Sequence, residues 1–145
     1  MRALGIDLGS KRIGVATSDR SGTIATPLTV LKRSGSRDSD YRAIADLVIE
    51  YEIECVVVGL PLNMNGTQGD AAKSAVAEAQ QLTSVLSVPV LTFDERRTTV
   101  TADNILMEQN MNAQERRKVI DKVAAAVMLQ SWLDGRKITE ARTRD

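Results

Sequence analysis

Residues 2–18 read Arg-Ala-Leu-Gly-Ile-Asp-Leu, then Gly-Ser-Lys, then Arg-Ile-Gly-Val-Ala-Thr-Ser. In residues 2–8 the apolar Leu4, Ile6 and Leu8 alternate with small or polar residues, which is the period of a β-strand. A tight polar turn follows, and residues 12–18 alternate again. The stretch therefore predicts an antiparallel β-hairpin at the start of the chain.

The rest of the chain predicts one more antiparallel strand and then alternating helices and strands. Residues 23–31 predict the third strand, and Pro27 favours an edge position for it. The other predicted elements are a mobile Ser- and Asp-rich loop over 32–40, a helix over 41–52, a strand over 55–58, a polar loop over 59–69, a helix from a cap at Asp70 to about Ser87, a strand over 88–93, a helix over 98–109, and a helix that begins near Asn112 and is ended by Gly135. This order predicts an α/β fold with a mixed sheet flanked by helices.

Length and composition bound the function classes. The chain has 145 residues, and we expect one domain over 1–134 with a charged, disordered tail over 135–145. It has no histidine and one cysteine, Cys55, which excludes a histidine base, a serine–histidine triad, an internal disulfide and a cysteine-rich zinc site. Basic and acidic residues both number 19, so net charge does not indicate a nucleic-acid partner.

The expected cellular location follows from other features of the sequence. No apolar run reaches the roughly 18 residues that a membrane span needs. The N-terminus enters a strand pattern without a signal peptide, and a single cysteine fits a reducing compartment. We therefore expect a soluble, cytoplasmic protein with no membrane partner.

Three polar features follow the strands that the pattern predicts to be parallel. Asp7 with Gly9 ends the first, Gly59-Leu60-Pro61 follows the second, and Asp94-Glu95 ends the third. Ligands of such sheets collect beyond the carboxyl ends of the parallel strands. We therefore expect these residues, with Asn65 of the same polar loop, to share one rim.

Asp121 is a further candidate, because it lies in a helix that is apolar on nearly every side. It could instead pair with Arg117 or Lys118 one turn back. Together with Asp7 and Glu95 it could form an acidic cluster, and carboxylates without histidine suit Mg²⁺ or Mn²⁺. Two such ions about 4 Å apart would activate a water and stabilise the leaving oxygen in phosphodiester cleavage. Alternatively, Asp94 caps a turn and Asp7 binds a backbone amide.

Basic residues flank the expected rim and could bind phosphates there. They are Lys11, Arg12, Arg96 and Arg97, with Lys32, Arg33 and Arg37 in the 32–40 loop. Ordinary surface charge is the alternative. The chain has few aromatic residues, so base stacking would not dominate, and we expect recognition of backbone and shape.

Four sequence blocks, in order, resemble the YqgF/RuvX family. They are Gly5–Ala16, Val58–Pro61 with Asn65-Gly66, Phe93–Arg96 with Thr98-Thr99, and Lys118–Asp121 with Ala124-Ala125. The resemblance implies a ribonuclease-H-like fold, a five-stranded mixed sheet with helices on both faces. Carried over by motif, it implies that Asp7, Glu95 and Asp121 bind metal; the adjacent Asp94 leaves open which acid of that pair faces the metal.

The resemblance implies a nuclease that processes the 5′ end of pre-16S ribosomal RNA, or a Holliday junction resolvase. A metal-dependent nuclease acting on structured RNA is the leading hypothesis. A resolvase cutting branched DNA is the alternative, and it should act as a two-fold dimer, so a monomer and a homodimer both stay open. A third class is a non-catalytic ribosome-assembly factor, which would bind RNA without metal and without Asp7.

Overall fold

The computed structural model describes residues 1–98 and 113–144, with side chains over 1–98 and 120–136. Its elements are β1 (Ala3–Leu8), β2 (Arg12–Ser18), β3 (Ala25–Lys32), α1 (Arg37–Glu50), β4 (Cys55–Leu60), α2 (Asp70–Val85), β5 (Val90–Asp94), a 3₁₀ turn (Glu95–Arg97) and α3 (Ala113–Arg144). No helix in these described ranges is both long enough and apolar enough to cross a membrane.

The strands form a five-stranded sheet in the order β3-β2-β1-β4-β5. β1 pairs with β2, and β2 with β3, in antiparallel fashion, whereas β1 with β4 and β4 with β5 are parallel. The predicted mixed sheet is confirmed, and so is the edge position of the strand that contains Pro27. The parallel strands β1, β4 and β5 end at the same edge of the sheet.

The alternation along the strands divides the core into two layers. One layer packs beneath α1 and α2 and contains Leu4, Ile6, Ile13, Val15, Val56 and Val58 from the sheet. The other packs beneath α3 and contains Ala3, Ala16, Cys55 and Val57. Helices therefore cover both faces, and the odd-numbered residues of β1 face α3.

Two glycines bring α3 unusually close to the sheet. A Cβ on Gly14 would overlap the backbone carbonyl of Asp121, and a Cβ on Gly5 would lie 2.9 Å from Leu129 Cβ. Any side chain at Gly14 would push the helix outward. This contact fixes the backbone of Asp121 directly above β2.

The predicted start of α1 and the predicted cap of α2 were wrong. α1 begins at Arg37, inside the loop predicted over 32–40, because Ser36 caps it by accepting a hydrogen bond from the Ser39 amide. α2 has Gly69 as its N-cap without a side-chain hydrogen bond, so Asp70 lies in the first turn and does not cap.

α3 continues to Arg144, so Gly135 does not end it and the backbone of the expected disordered tail is helical over 135–144. Glycine inside a helix costs only about 1 kcal/mol relative to alanine, which good helix formers on either side can offset. The helix start predicted at Asn112, and the helix predicted over 98–109 beyond Thr98, lie outside the described residues.

Candidate active site

The carboxyl edge of the parallel strands gathers the residues that the sequence placed at one rim. Asp7 lies one position after the β1–β4 pair Ile6–Val58. Gly59 pairs with Phe93 and Leu60 with Asp94 at the end of β4 and β5. Glu95 follows in the 3₁₀ turn. The topology thus brings Asp7, Gly59 and Asp94-Glu95 to one edge, because their strands run parallel.

Asp7 lies on the face of the sheet that α3 covers. Its antiparallel partner is Gly14, the glycine on which the Asp121 backbone packs. Burial raises the pKa of Asp7 above its usual value, and the nearby Asp121 carboxylate raises it further. Two acids from opposite ends of the chain are therefore held in electrostatic contact.

Glu95 folds back over the end of β4. A Cβ on Gly59 would lie 2.5 Å from Glu95 Oε1, so the glycine provides the space that this carboxylate occupies. Burial raises the pKa of Glu95 to about 7, and the charges of Asp7 and Asp94 add to the effect. Asp7 is thus coupled to Glu95 as well as to Asp121.

Asp94 has the opposite environment to its neighbour. The Arg96 backbone amide donates to Asp94 Oδ1 at 3.0 Å, and the Arg96 guanidinium binds both carboxylate oxygens. These bonds to Arg96 hold the pKa of Asp94 below its usual value. The alternative that Asp94 caps a turn is confirmed, and the geometry directs Glu95 rather than Asp94 toward Asp7.

Asp121 forms an ion pair with Arg12, whose Nε donates to Asp121 Oδ2 at 2.8 Å. The side chains of the partners considered from the sequence, Arg117 and Lys118, lie outside the described residues. Within residues 1–98 and 120–136, no three His, Cys, Asp or Glu side chains converge on a single metal position. The acids therefore stand as two coupled pairs, Asp7 with Asp121 and Asp7 with Glu95.

The basic residues divide into engaged and available cations. Arg12 and Arg96 are held by Asp121 and Asp94. Arg37 contacts Gln81 Oε1 at 3.4 Å. Lys11, Lys32 and Arg97 are exposed and form no ion pair with any described residue.

Arg33 corrects the expectation of a phosphate-binding side chain in a mobile loop. Its guanidinium donates to both carboxylate oxygens of Glu78, at 2.7 and 2.8 Å, and its Nε donates to the Gly9 carbonyl at 2.8 Å. The Tyr41 hydroxyl also donates to Glu78, which is 3% exposed. Arg33 is therefore a structural residue that joins α2 to the turn between β1 and β2.

The network of Arg33, Glu78 and Tyr41 was not predicted from the sequence, although one signal pointed to it. Glu78 falls on the buried face of α2, beside Ala75, Ala79 and Leu82. A buried carboxylate needs a partner, but the partner Arg33 is distant in sequence and no local pattern identifies it.

The polar loop over 61–69 is fastened to the same rim. Asn65 Oδ1 accepts from the amide and the hydroxyl of Thr67, at 3.1 and 2.6 Å. Arg96 Nη1 donates to the Met64 carbonyl at 3.2 Å. Pro61 is exposed at the start of the loop. Asn65 thus shapes the loop, and Arg96 ties it to Asp94; neither role was predicted.

The chain matches over residues 1–135 the family described as RuvX, Holliday junction resolvase. Relatives named "Putative pre-16S rRNA nuclease" from Thermoanaerobacter pseudethanolicus and Listeria innocua are 44% and 45% identical to it. The first alignment covers 94% of this chain and 99% of the relative, and the second covers 92% and 98%.

A solved structure, Thermus thermophilus RuvC in complex with Holliday junction substrate, has a TM-score of 0.60 to this chain. The superposition covers 94% of this chain and 96% of that one at 15% identity, so it shows a shared fold. The family match and the full-length relatives carry the assignment further: this chain belongs to the RuvX family of nucleases.

Proposed function

We propose that this chain is a metal-dependent nuclease that hydrolyses phosphodiester bonds of structured RNA during maturation of the pre-16S rRNA 5′ end. The names of the full-length relatives support this substrate. The observation that carries the proposal is the placement of three acids at the carboxyl edge of the sheet: Asp121 packs on Gly14, the strand partner of Asp7, and Glu95 folds over Gly59 close enough for the Asp7 charge to raise its pKa. Carboxylates crowded together in this way raise one another's pKa unless a cation compensates them.

The donor chemistry fits a divalent cation such as Mg²⁺ or Mn²⁺. All three candidate ligands offer carboxylate oxygen, which these ions prefer. The Glu95 carboxylate accepts no hydrogen bond from any side chain or amide in the described parts of the chain, and burial raises its pKa to about 7. Two pairs of acids, Asp7 with Glu95 and Asp7 with Asp121, would hold the metal, and Asp121 also forms an ion pair with Arg12.

A divalent cation supplies charge neutralisation and an acidified water for attack on the phosphate. The chain's own residues do the rest. Asp7, Glu95 and Asp121 would present their carboxylate oxygens to the cation, and Gly59 leaves space for the Glu95 carboxylate. Lys11 and Arg97, exposed beside the rim, neutralise neighbouring phosphates. The chain has no histidine, so no imidazole acts as general base.

The test is cleavage of a pre-16S 5′-leader RNA and of a mobile four-way DNA junction, with Mg²⁺ and with Mn²⁺. We expect the wild-type chain to cut the RNA and Asp7→Asn to reduce the rate by about 10³-fold or more. Asp46→Asn is the matched control, because Asp46 is exposed on α1 and should leave the rate unchanged. Normal cleavage by Asp7→Asn would refute the assignment of Asp7 to the active site.

The family description favours a second candidate, a junction resolvase. Paired symmetric nicks in the junction, by a dimer, would replace the RNA assignment with this one. Binding of the RNA that needs neither metal nor Asp7, without cleavage of either substrate, would instead identify an assembly factor.

A further inference from the structure

The hairpin between β1 and β2 brings a cation directly to the acidic edge. Arg12 begins β2 and lies two residues before Gly14, so both point to the face that α3 covers. Its position is fixed by the turn, in which the Gly9 amide donates to the Arg12 carbonyl at 2.9 Å. From there Arg12 Nε reaches Asp121 Oδ2 at 2.8 Å.

The ion pair between Arg12 and Asp121 has the features of a pair that can separate. The contact uses only Nε, and the terminal nitrogens of Arg12 donate to no residue that the structure describes. The side chains are 48% exposed for Arg12 and 24% exposed for Asp121. A half-exposed pair with a single contact is weak in water. By contrast, Arg33 binds buried Glu78 through two nitrogens.

Asp121 has two competing uses. It pairs with Arg12, and its charge also acts on Asp7, the acid at the centre of the candidate metal site. A divalent cation held by Asp7 and Asp121 would compete with Arg12 for the Asp121 carboxylate, whose Oδ2 Arg12 contacts, and would repel the guanidinium. Arg12 would then stand at the rim with every donor free, in the fork geometry that suits phosphate.

We propose that Arg12 is a metal-released phosphate ligand: it neutralises Asp121 in the metal-free chain and turns to an RNA phosphate once the acids hold a divalent cation. The proposal rests on the proposed nuclease function. Its consequence is a coupling between metal and RNA, each raising the affinity for the other through Arg12. Lys11, the preceding residue, is exposed and forms no ion pair within the described residues, so its contribution to RNA binding carries no such coupling.

The first test measures the Kd for a short structured RNA in EDTA and in Ca²⁺, a probe cation that also takes oxygen ligands. We expect Arg12→Gln to weaken binding about five- to tenfold in Ca²⁺ and less than about twofold in EDTA. Lys11→Gln is the matched control, with the same loss in both conditions. An equal loss for Arg12→Gln in both conditions would overturn the proposal.

The second test needs no metal. In EDTA, Asp121→Asn frees Arg12, so Arg12→Gln should then weaken RNA binding about five- to tenfold in the Asp121→Asn background and less than about twofold in the wild-type background. The comparison cancels the charge removed at Asp121, and circular dichroism confirms that each variant is folded. Equal losses in the two backgrounds would refute the exchange.

Both tests read binding, so they separate this proposal from the nuclease assignment. Coupling without cleavage would contradict the nuclease alone. Cleavage without coupling would contradict the role of Arg12 alone.

Discussion

Asp94 and Arg96, two residues apart, form a bidentate ion pair. Arg96 Nη2 lies 2.6 Å from Asp94 Oδ2, and Arg96 Nε lies 3.0 Å from Asp94 Oδ1. Glu95 lies between them and points over Gly59 instead. Adjacent acids thus have opposite environments: the guanidinium lowers the pKa of Asp94, whereas burial raises that of Glu95 to about 7. Arg96 occupies both carboxylate oxygens of Asp94, whereas the Glu95 carboxylate accepts no hydrogen bond from the described residues and is the acid of this pair that is open to a metal ion.

The first prediction distinguishes these two acids. Glu95→Gln should weaken Mn²⁺ binding by about tenfold or more, because it removes a charged ligand, whereas Asp94→Asn should change it by less than about threefold. Isothermal titration calorimetry without nucleic acid gives both values. A larger loss for Asp94→Asn than for Glu95→Gln would show that the acids are assigned the wrong way round.

The second prediction concerns pH and stability without metal. The pKa of Glu95 is raised from 4.5 to about 7, so the folded chain holds this proton more tightly than the unfolded chain does. Its stabilising effect is therefore complete below about pH 4.5 and is lost as the pH rises through about 7. Allowing for the partial exposure of Glu95, the loss in the free energy of unfolding is about 1–2 kcal/mol.

Urea denaturation in EDTA between pH 5 and pH 8 measures this effect. Asp7 acts in the same direction, because its pKa is also raised. Glu95→Gln should flatten the profile and Asp94→Asn should not, since the pKa of Asp94 is lowered and it titrates below this range. A wild-type stability that rises with pH over this range would contradict the burial of Glu95.

The rim was predictable from sequence because it depends on backbone topology. Alternation in residues 2–8 and the short apolar strands indicated parallel strands whose carboxyl ends lie at one edge of the sheet. That edge contains Asp7 and Glu95. The partners of the charged groups were not predictable. Arg12 and its partner Asp121 are 109 residues apart in sequence, and Arg33 and its partner Glu78 are 45 residues apart, so only the folded chain brings them together. The start of α1 was wrongly predicted as part of a loop over 32–40, because serine and aspartate are common both in loops and at helix starts.

The third prediction tests the structural role of Arg33. Arg33→Met should lower the free energy of unfolding by about 3 kcal/mol, because it leaves the Glu78 carboxylate buried without its cation. Lys32→Met, at an exposed site one residue earlier, should change it by less than about 0.5 kcal/mol. Chemical denaturation compares the two. A stable Arg33→Met chain with weakened RNA binding would restore the phosphate-binding role that the sequence suggested.

The fourth prediction concerns the contact between α3 and the sheet. A Cβ at Gly14 has no room against the Asp121 backbone, so Gly14→Ala must displace the helix and should lower the free energy of unfolding by about 3 kcal/mol. The same displacement moves Asp121 away from Asp7, so Mn²⁺ binding should weaken in calorimetric titrations of the folded variant.

Gly135→Ala is the matched control for Gly14→Ala. Apart from the helix's own backbone, no described residue lies within 4 Å of a Cβ at Gly135, and α3 passes through it, so alanine should raise stability by about 0.5–1 kcal/mol. Destabilisation by Gly135→Ala would mean that the helix ends there after all, as the sequence alone suggested. A stable Gly14→Ala chain with unchanged metal binding would mean that α3 does not hold Asp121 against β2, and the acidic site would lose its third member.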